Sequence, residues 1–178
     1  MRRWLVAVMV MAALSPIFAQ EDPYRDGARS QTTLRAMTVL GSWAIGNIAV
    51  STPLFFLSEG QSRRFHEMNI AWNVVNLGIA GSALLGSREA SPGDSFEQAL
   101  NSQRQIESAL LLNTGLDVAY IAAGWALLER SRRGLPDSER WAGYGASLIV
   151  QGGFLLVFDA IFYAVQRRNR PDLPVALP

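Results

Sequence analysis

The sequence predicts an all-α fold, a four-helix transmembrane bundle preceded by a signal peptide. Three observations predict it. Apolar residues make up 49% of the 178-residue chain and gather into blocks, each long enough to cross about 30 Å of hydrocarbon at about 1.5 Å per residue. Gly, Pro and Ser separate the blocks, as expected of turns. Within the blocks the polar residues recur at helical spacing, which puts them on one face.

Residues 1–19 read as the signal peptide. Arg2 and Arg3 form its charged start, Trp4 to Leu14 its apolar core, and Ser15-Pro16 a break ahead of cleavage after Ala19. The alternative is an uncleaved anchor helix; either way the following segment starts outside the cytoplasm. Residues 20–34 are polar, with Pro23, Arg25, Gly27 and Arg29, and are expected to turn helical toward the membrane. Residues 35–166 form the transmembrane domain and residues 167–178 a C-terminal tail.

The first span is expected over Ala36 to Leu57, carrying Ser42, Trp43 and Asn47, with Gly41 and Gly46 as contact points for a neighbouring helix. Pro53 should kink or end it. Ser58 to Gln61 reads as a turn, with Gly60 stopping one helix and Ser62 capping the next. The second helix enters through Arg63 and Arg64 and runs to about Leu85. Gly86 to Gly93 is a loop, and two overlapping capping boxes, Asp94 with Glu97 and Ser95 with Gln98, start the third helix near Ser95. Its apolar part, Ala109 to Leu128, follows an amphipathic extension with Phe96, Leu100 and Ile106 as contacts. Gly134 and Pro136 end that helix, Ser138 caps the fourth, and its span is Ala142 to Val165.

The stretch Met68 to Gly81 organises the bundle. At about 100° per residue, His66, Asn69, Asn73, Asn76 and Ala80 fall within roughly 80° of one another. Carboxamides in hydrocarbon are costly unless paired, so this stripe must face protein, and Ile70, Val74, Leu77 and Ile79 occupy the other faces. In the third helix Asn113, Asp117, Tyr120 and Gly124 share one face. In the fourth, Tyr144, Ser147, Gln151, Phe158 and Phe162 line one side, flanked by Gly145, Gly152 and Asp159.

Depth sorts these groups, because adjacent spans run in opposite directions. Asp117 lies roughly 12 Å into its span, and Asp159 and Asn76 lie roughly 9 and 13 Å from the same side of the membrane. Arg35 sits at that edge, placed to bridge the two acids. His66, Asn69, Asn73, Gln151 and Tyr120 belong to the other half. The expectation is two polar layers, an acidic one toward the outside and a neutral one toward the inside.

The connections after the first and third spans hold Arg63, Arg64, Arg130, Arg132, Arg133 and Arg140, against Arg88 and Arg104 in the middle one. The positive-inside rule then puts the first and third connections in the cytoplasm. The terminal arginines, at 25, 29 and 35 and at 167, 168 and 170, oppose this assignment. The expected location is the bacterial inner membrane, with the lipid bilayer as first partner.

Composition excludes several functions. Net charge is +1, which argues against nucleic acid as a partner, since that would need a clustered basic surface. Absence of cysteine removes disulfides, thiolate nucleophiles and Cys-ligated metals. His66 is the lone histidine, which excludes two-histidine metal sites and a bis-His haem within one chain. No glycine elbow surrounds a serine and no phosphate loop follows a strand. No catalytic residue, metal site or cofactor is assigned, and an enzyme is the less favoured reading. Candidate ligand-binding residues are Arg35, His66, Asn69, Asn73, Asn76, Asn113, Asp117, Tyr120, Gln151 and Asp159.

The string Met68-Asn69-x-x-Trp72-Asn73-x-x-Asn76-Leu77-Gly78-Ile79-Ala80 resembles an uncharacterised family of small four-helix bacterial membrane proteins. Leu40-Gly41-x-Trp43-Ala44, Asn113-x-Gly115-Leu116-Asp117-x-x-Tyr120 and Gln151-Gly152-x-Phe154-Leu155-Leu156-x-Phe158-Asp159 are similar to it as well. The resemblance covers about Leu34 to Tyr163. It implies the architecture and no activity.

Two functions from different classes remain. One is a membrane protein whose polar layer binds a small polar ligand, proton or ion; the other is a structural or assembly protein whose buried polar residues only pack helices. A hydrated cavity favours the first and a satisfied, packed core the second. Four spans are few for a monomeric transporter, so transport would require a homo-oligomer or a membrane partner protein.

Overall fold

The computed structural model describes residues 27–86 and 96–168. They form α1 (Gly27–Leu57), α2 (Gly60–Gly86), α3 (Phe96–Ser131) and α4 (Ser138–Arg168), with no strand among the described residues. Each helix is long and apolar enough to cross a membrane. The signal peptide, the capping boxes of Asp94 and Ser95, most of the middle loop and residues 169–178 lie outside the described residues, while Arg167 and Arg168, expected in the tail, end α4.

Burial follows the logic of an apolar solvent. Asn69, Asn73, Asn76, Asp117, Ser147, Gln151 and Asp159 are buried, while Val39, Ile45, Val74, Leu112, Val157 and Ile161 are exposed. In water this arrangement would leave a large apolar surface uncovered. In hydrocarbon it is the low-energy one, because backbone and polar groups must be satisfied internally.

The helix α4 is the hub. It packs along α3 and against α2, and touches α1 more sparingly, while α1 packs along α2. Glycines set these approaches. A Cβ on Gly124 of α3 would lie 2.7 Å from the Gly145 carbonyl of α4, and one on Gly145 would lie 2.6 Å from the Gly124 carbonyl. Farther along the same pair, a Cβ on Gly152 would meet the Asp117 carbonyl at 3.1 Å. Gly143 does the same for α2, where a Cβ would lie 2.5 Å from the Gln61 carbonyl. Dispersion between closely approached backbones replaces the hydrophobic effect, which is absent between helices in lipid.

Several local expectations are corrected. Pro53 lies inside α1, one turn before its end at Leu57, the end expected for this span. The turn that follows is tighter than expected, since α2 begins at Gly60 itself, in the left-handed region with φ 54°. Arg63 N donates to the Glu59 carbonyl at 3.3 Å, so Glu59 rather than Ser62 precedes the first turn. At α4, Trp141 N donates to the Asp137 carbonyl at 3.0 Å, which puts Ser138 inside the helix. Asp137 reaches this position with φ 66°, a region that Asp tolerates better than most residues. Gly41 does meet α2, with a Cβ placed 3.5 Å from Ala80, but Gly46 meets nothing within 4 Å. The third helix starts at Phe96, within a residue of the expectation.

Candidate functional site

Two polar layers occupy different halves of the bundle, and they differ in kind. The neutral layer is a closed hydrogen-bond network. Trp43 of α1 donates its indole N–H to Gln151 Oε1 of α4 at 3.0 Å. Gln151 Nε2 in turn donates to Asn69 Oδ1 of α2. Asn69 Nδ2 donates back to α1, to Asn47 Oδ1 at 2.9 Å and Ser51 Oγ at 2.8 Å. Asn47 Nδ2 donates to the Trp43 carbonyl at 2.9 Å, and His66 Nδ1 lies 3.2 Å from Ser51 Oγ. The network thus joins α1, α2 and α4 at one level, with Gln151 fully buried. Beside it Trp43 stacks on Phe154, ring centroids 3.9 Å apart and planes 3° from parallel.

Asn73 and Asn76 lead out of this layer along α2. Asn73 Nδ2 donates to the Asn69 carbonyl at 2.8 Å, and Asn76 Nδ2 points to Asn73 Oδ1 at 3.5 Å. Their side chains satisfy one another at an i, i+3 or i, i+4 step. That leaves Asn76 Oδ1 as an acceptor at the edge of the second layer.

The acidic layer is a partly open cavity of about 80 Å³ lined from all four helices. Its walls are mostly apolar: Met37 and Leu40 from α1, Trp72, Val75 and Ile79 from α2, Leu116 from α3. Leu155, Phe158 and Phe162 come from α4. Its polar groups are Asn76, Asn113, Asp117, Tyr120 and Asp159. The Asp117 and Asp159 carboxyls lie close enough to interact, with the Asn113 side chain beside Asp159, and all three line the cavity. Asp117 is 2% exposed, and its Oδ2 has no hydrogen-bond partner among the described residues. Trp72 and Tyr120, both lining the cavity, meet edge to face at 4.7 Å.

Asp117, Asp159, Asn76 and Asn113 therefore come together, and Asn69, Asn73, Gln151 and His66 form a separate set. Two placements differ from the sequence expectation. Tyr120 lies on the acid cavity rather than in the neutral half. Arg35 is exposed and makes no ion pair with either acid among the described residues. The reason is angular: Met37, two residues on, faces the cavity, and two residues turn a helix by about 200°. No basic side chain is among the described residues lining the cavity. No group of three or more His, Cys, Asp or Glu side chains is placed to hold a metal among the described residues.

Ser51 was not anticipated from the sequence, although the signal was there. Met37, Leu40, Ala44 and Ser51 are all buried, and their steps of three, four and seven mark one helix face. The cavity's apolar walls could not be read so, because they are assembled from four helices.

The carboxamides of the neutral network can hold helices but do not titrate at ordinary pH. The acidic cavity can do more. Two facing carboxyls in a low-dielectric site attract a proton or a cation, because two unneutralised charges would repel and remain poorly solvated.

No curated protein and no solved structure matches the chain. A family model does match, over residues 39–160, a stretch that contains both polar layers. The chain belongs to DUF6992, a family of unknown function.

Proposed function

We propose that the protein is a multi-pass protein of the bacterial inner membrane that holds a small cation between its helices at Asp117 and Asp159. The carrying observation is a pair of facing carboxyls in a cavity whose described lining holds no basic side chain. A buried acid in a membrane needs a proton, an arginine or a cation, and Arg35 points away. The inner-membrane location draws support from the signal-like N-terminus, the four spans and the arginines at the first and third connections.

The structural reading keeps a specific place. Asn69, Gln151, Asn47 and Ser51 use their polar groups on one another, so the neutral layer acts as interhelical glue. Binding belongs to the acidic half alone.

The test is thermal unfolding of the purified protein in detergent at constant ionic strength. A series of monovalent, divalent and ammonium cations is applied to wild type and to the Asp117→Asn, Asp159→Asn double variant. At least one cation is expected to raise the wild-type Tm and leave the double variant unmoved. Equal responses to every cation would reduce the acids to packing groups.

A further inference from the structure

The composition of the cavity wall narrows the class of cation, resting on the reading that Asp117 and Asp159 hold one. A metal ion needs oxygens. Calcium takes six to eight, and magnesium about six in near-octahedral geometry. Here the described polar lining amounts to two carboxyls, two carboxamides and one phenol, spread over an otherwise apolar wall. Asn76 turns its N–H group to Asn73 and Asn113 lies beside Asp159, and no third acid or histidine joins the pair among the described residues. The apolar majority of the wall would gain nothing from a bare ion.

An ammonium carried on a small apolar body suits both parts. A primary ammonium has three N–H donors. Asp117 Oδ2 is buried and lacks a donor, the Asp159 carboxyl lies beside it, and the Asn76 side chain lines the same space. Three acceptors thus stand where three donors are wanted. The remaining wall contains Trp72, Phe158 and Phe162, whose ring faces attract cations and whose area buries methylene groups. We infer that the cavity is a binding site for a small primary organic ammonium, its nitrogen between Asp117 and Asp159 and its apolar body against Trp72, Phe158 and Phe162.

Calorimetric titration of the full-length protein in detergent tests this with four probes at matched ionic strength: propylammonium, ammonium, sodium and magnesium chlorides. Propylammonium is expected to bind at least ten-fold more tightly than ammonium, because each buried CH₂ contributes roughly a four-fold gain in affinity. Sodium and magnesium are expected to give no saturable heat. The Asp117→Asn, Asp159→Asn double variant should lose propylammonium binding, which also controls for partition of the amine into micelles. Phe158→Leu should weaken propylammonium at least three-fold more than it weakens ammonium; Trp72→Leu serves the same purpose if that variant does not fold. Should sodium, magnesium or plain ammonium bind as well as propylammonium, the organic-ammonium assignment is overturned and the cation site stands. If none of the four binds, and the double variant matches wild type throughout, both readings fall.

Discussion

Gln151 of α4 and Asn69 of α2, 82 positions apart, are joined through their carboxamides, Gln151 donating to Asn69. The bond sits at the centre of a network that also draws in Trp43, Asn47 and Ser51 of α1. Three helices are thereby fixed in rotation as well as in distance, since each carboxamide has its donor and acceptor sides engaged by different helices. The register that brings Asp117 and Asp159 together farther along the bundle belongs instead to the close approach of α3 and α4 at Gly124, Gly145 and Gly152.

Asn69 should therefore matter more than its neighbour. Asn69→Leu leaves groups on Gln151, Asn47 and Ser51 without partners, and is expected to cost about 2–4 kcal/mol at roughly 1 kcal/mol or more for each orphaned group. Asn73→Leu breaks bonds only within α2 and is expected to cost about 0.6–2 kcal/mol. Thermal unfolding in detergent ranks the two. A larger loss for Asn73→Leu would mean that the network is not the principal lock.

Glycines at two positions predict opposite signs. A Cβ on Gly145 would stand 2.6 Å from the Gly124 carbonyl, so Gly145→Ala must push α3 and α4 apart, at about 1–3 kcal/mol. Gly78 has nothing within 4 Å of its added Cβ. Gly78→Ala should instead stabilise by about 0.5–1 kcal/mol through helix propensity. Side-by-side melting curves check both, and a stabilised Gly145→Ala variant would contradict the close approach.

The acids should trade stability against binding. Without added cation, Asp117→Asn removes one of two facing acidic groups while keeping shape, and is expected to raise Tm by a few degrees, equivalent to about 1 kcal/mol. In the presence of a bound cation the order should reverse, wild type gaining and the variant not. A variant that melts lower than wild type in cation-free buffer would show that a proton shared by the pair already stabilises it.

The orientation can be read by single-cysteine labelling, since the chain has no cysteine of its own. In intact spheroplasts a membrane-impermeant maleimide is expected to label Arg104→Cys and to spare Glu59→Cys and Arg133→Cys. The opposite pattern would invert the assignment made from the arginines. Carbonate extraction should leave all three variants in the membrane fraction.

Much of the architecture is local and so is legible in the chain. Four blocks of apolar residues, separated by turn-forming residues, suffice for four spans, because backbone groups in hydrocarbon can be satisfied only within a helix or a closed barrel. Helical spacing likewise puts Asn69, Asn73 and Asn76 on one face, and Asn113, Asp117 and Tyr120 on another. Depth in antiparallel spans also puts Asp117 and Asp159 at one level. Rotation about each helix axis and the choice of neighbours are another matter. They depend on which backbones approach, and that is fixed pairwise by contacts such as Gly124 with Gly145 and Gly143 with Gln61, between positions remote in sequence. For this reason the exposed direction of Arg35, the place of Tyr120 on the acid cavity and the junction of Trp43 with Gln151 were decided only by the tertiary structure. Depth along a helix is additive in residue number, whereas azimuth depends on the packing of its neighbours.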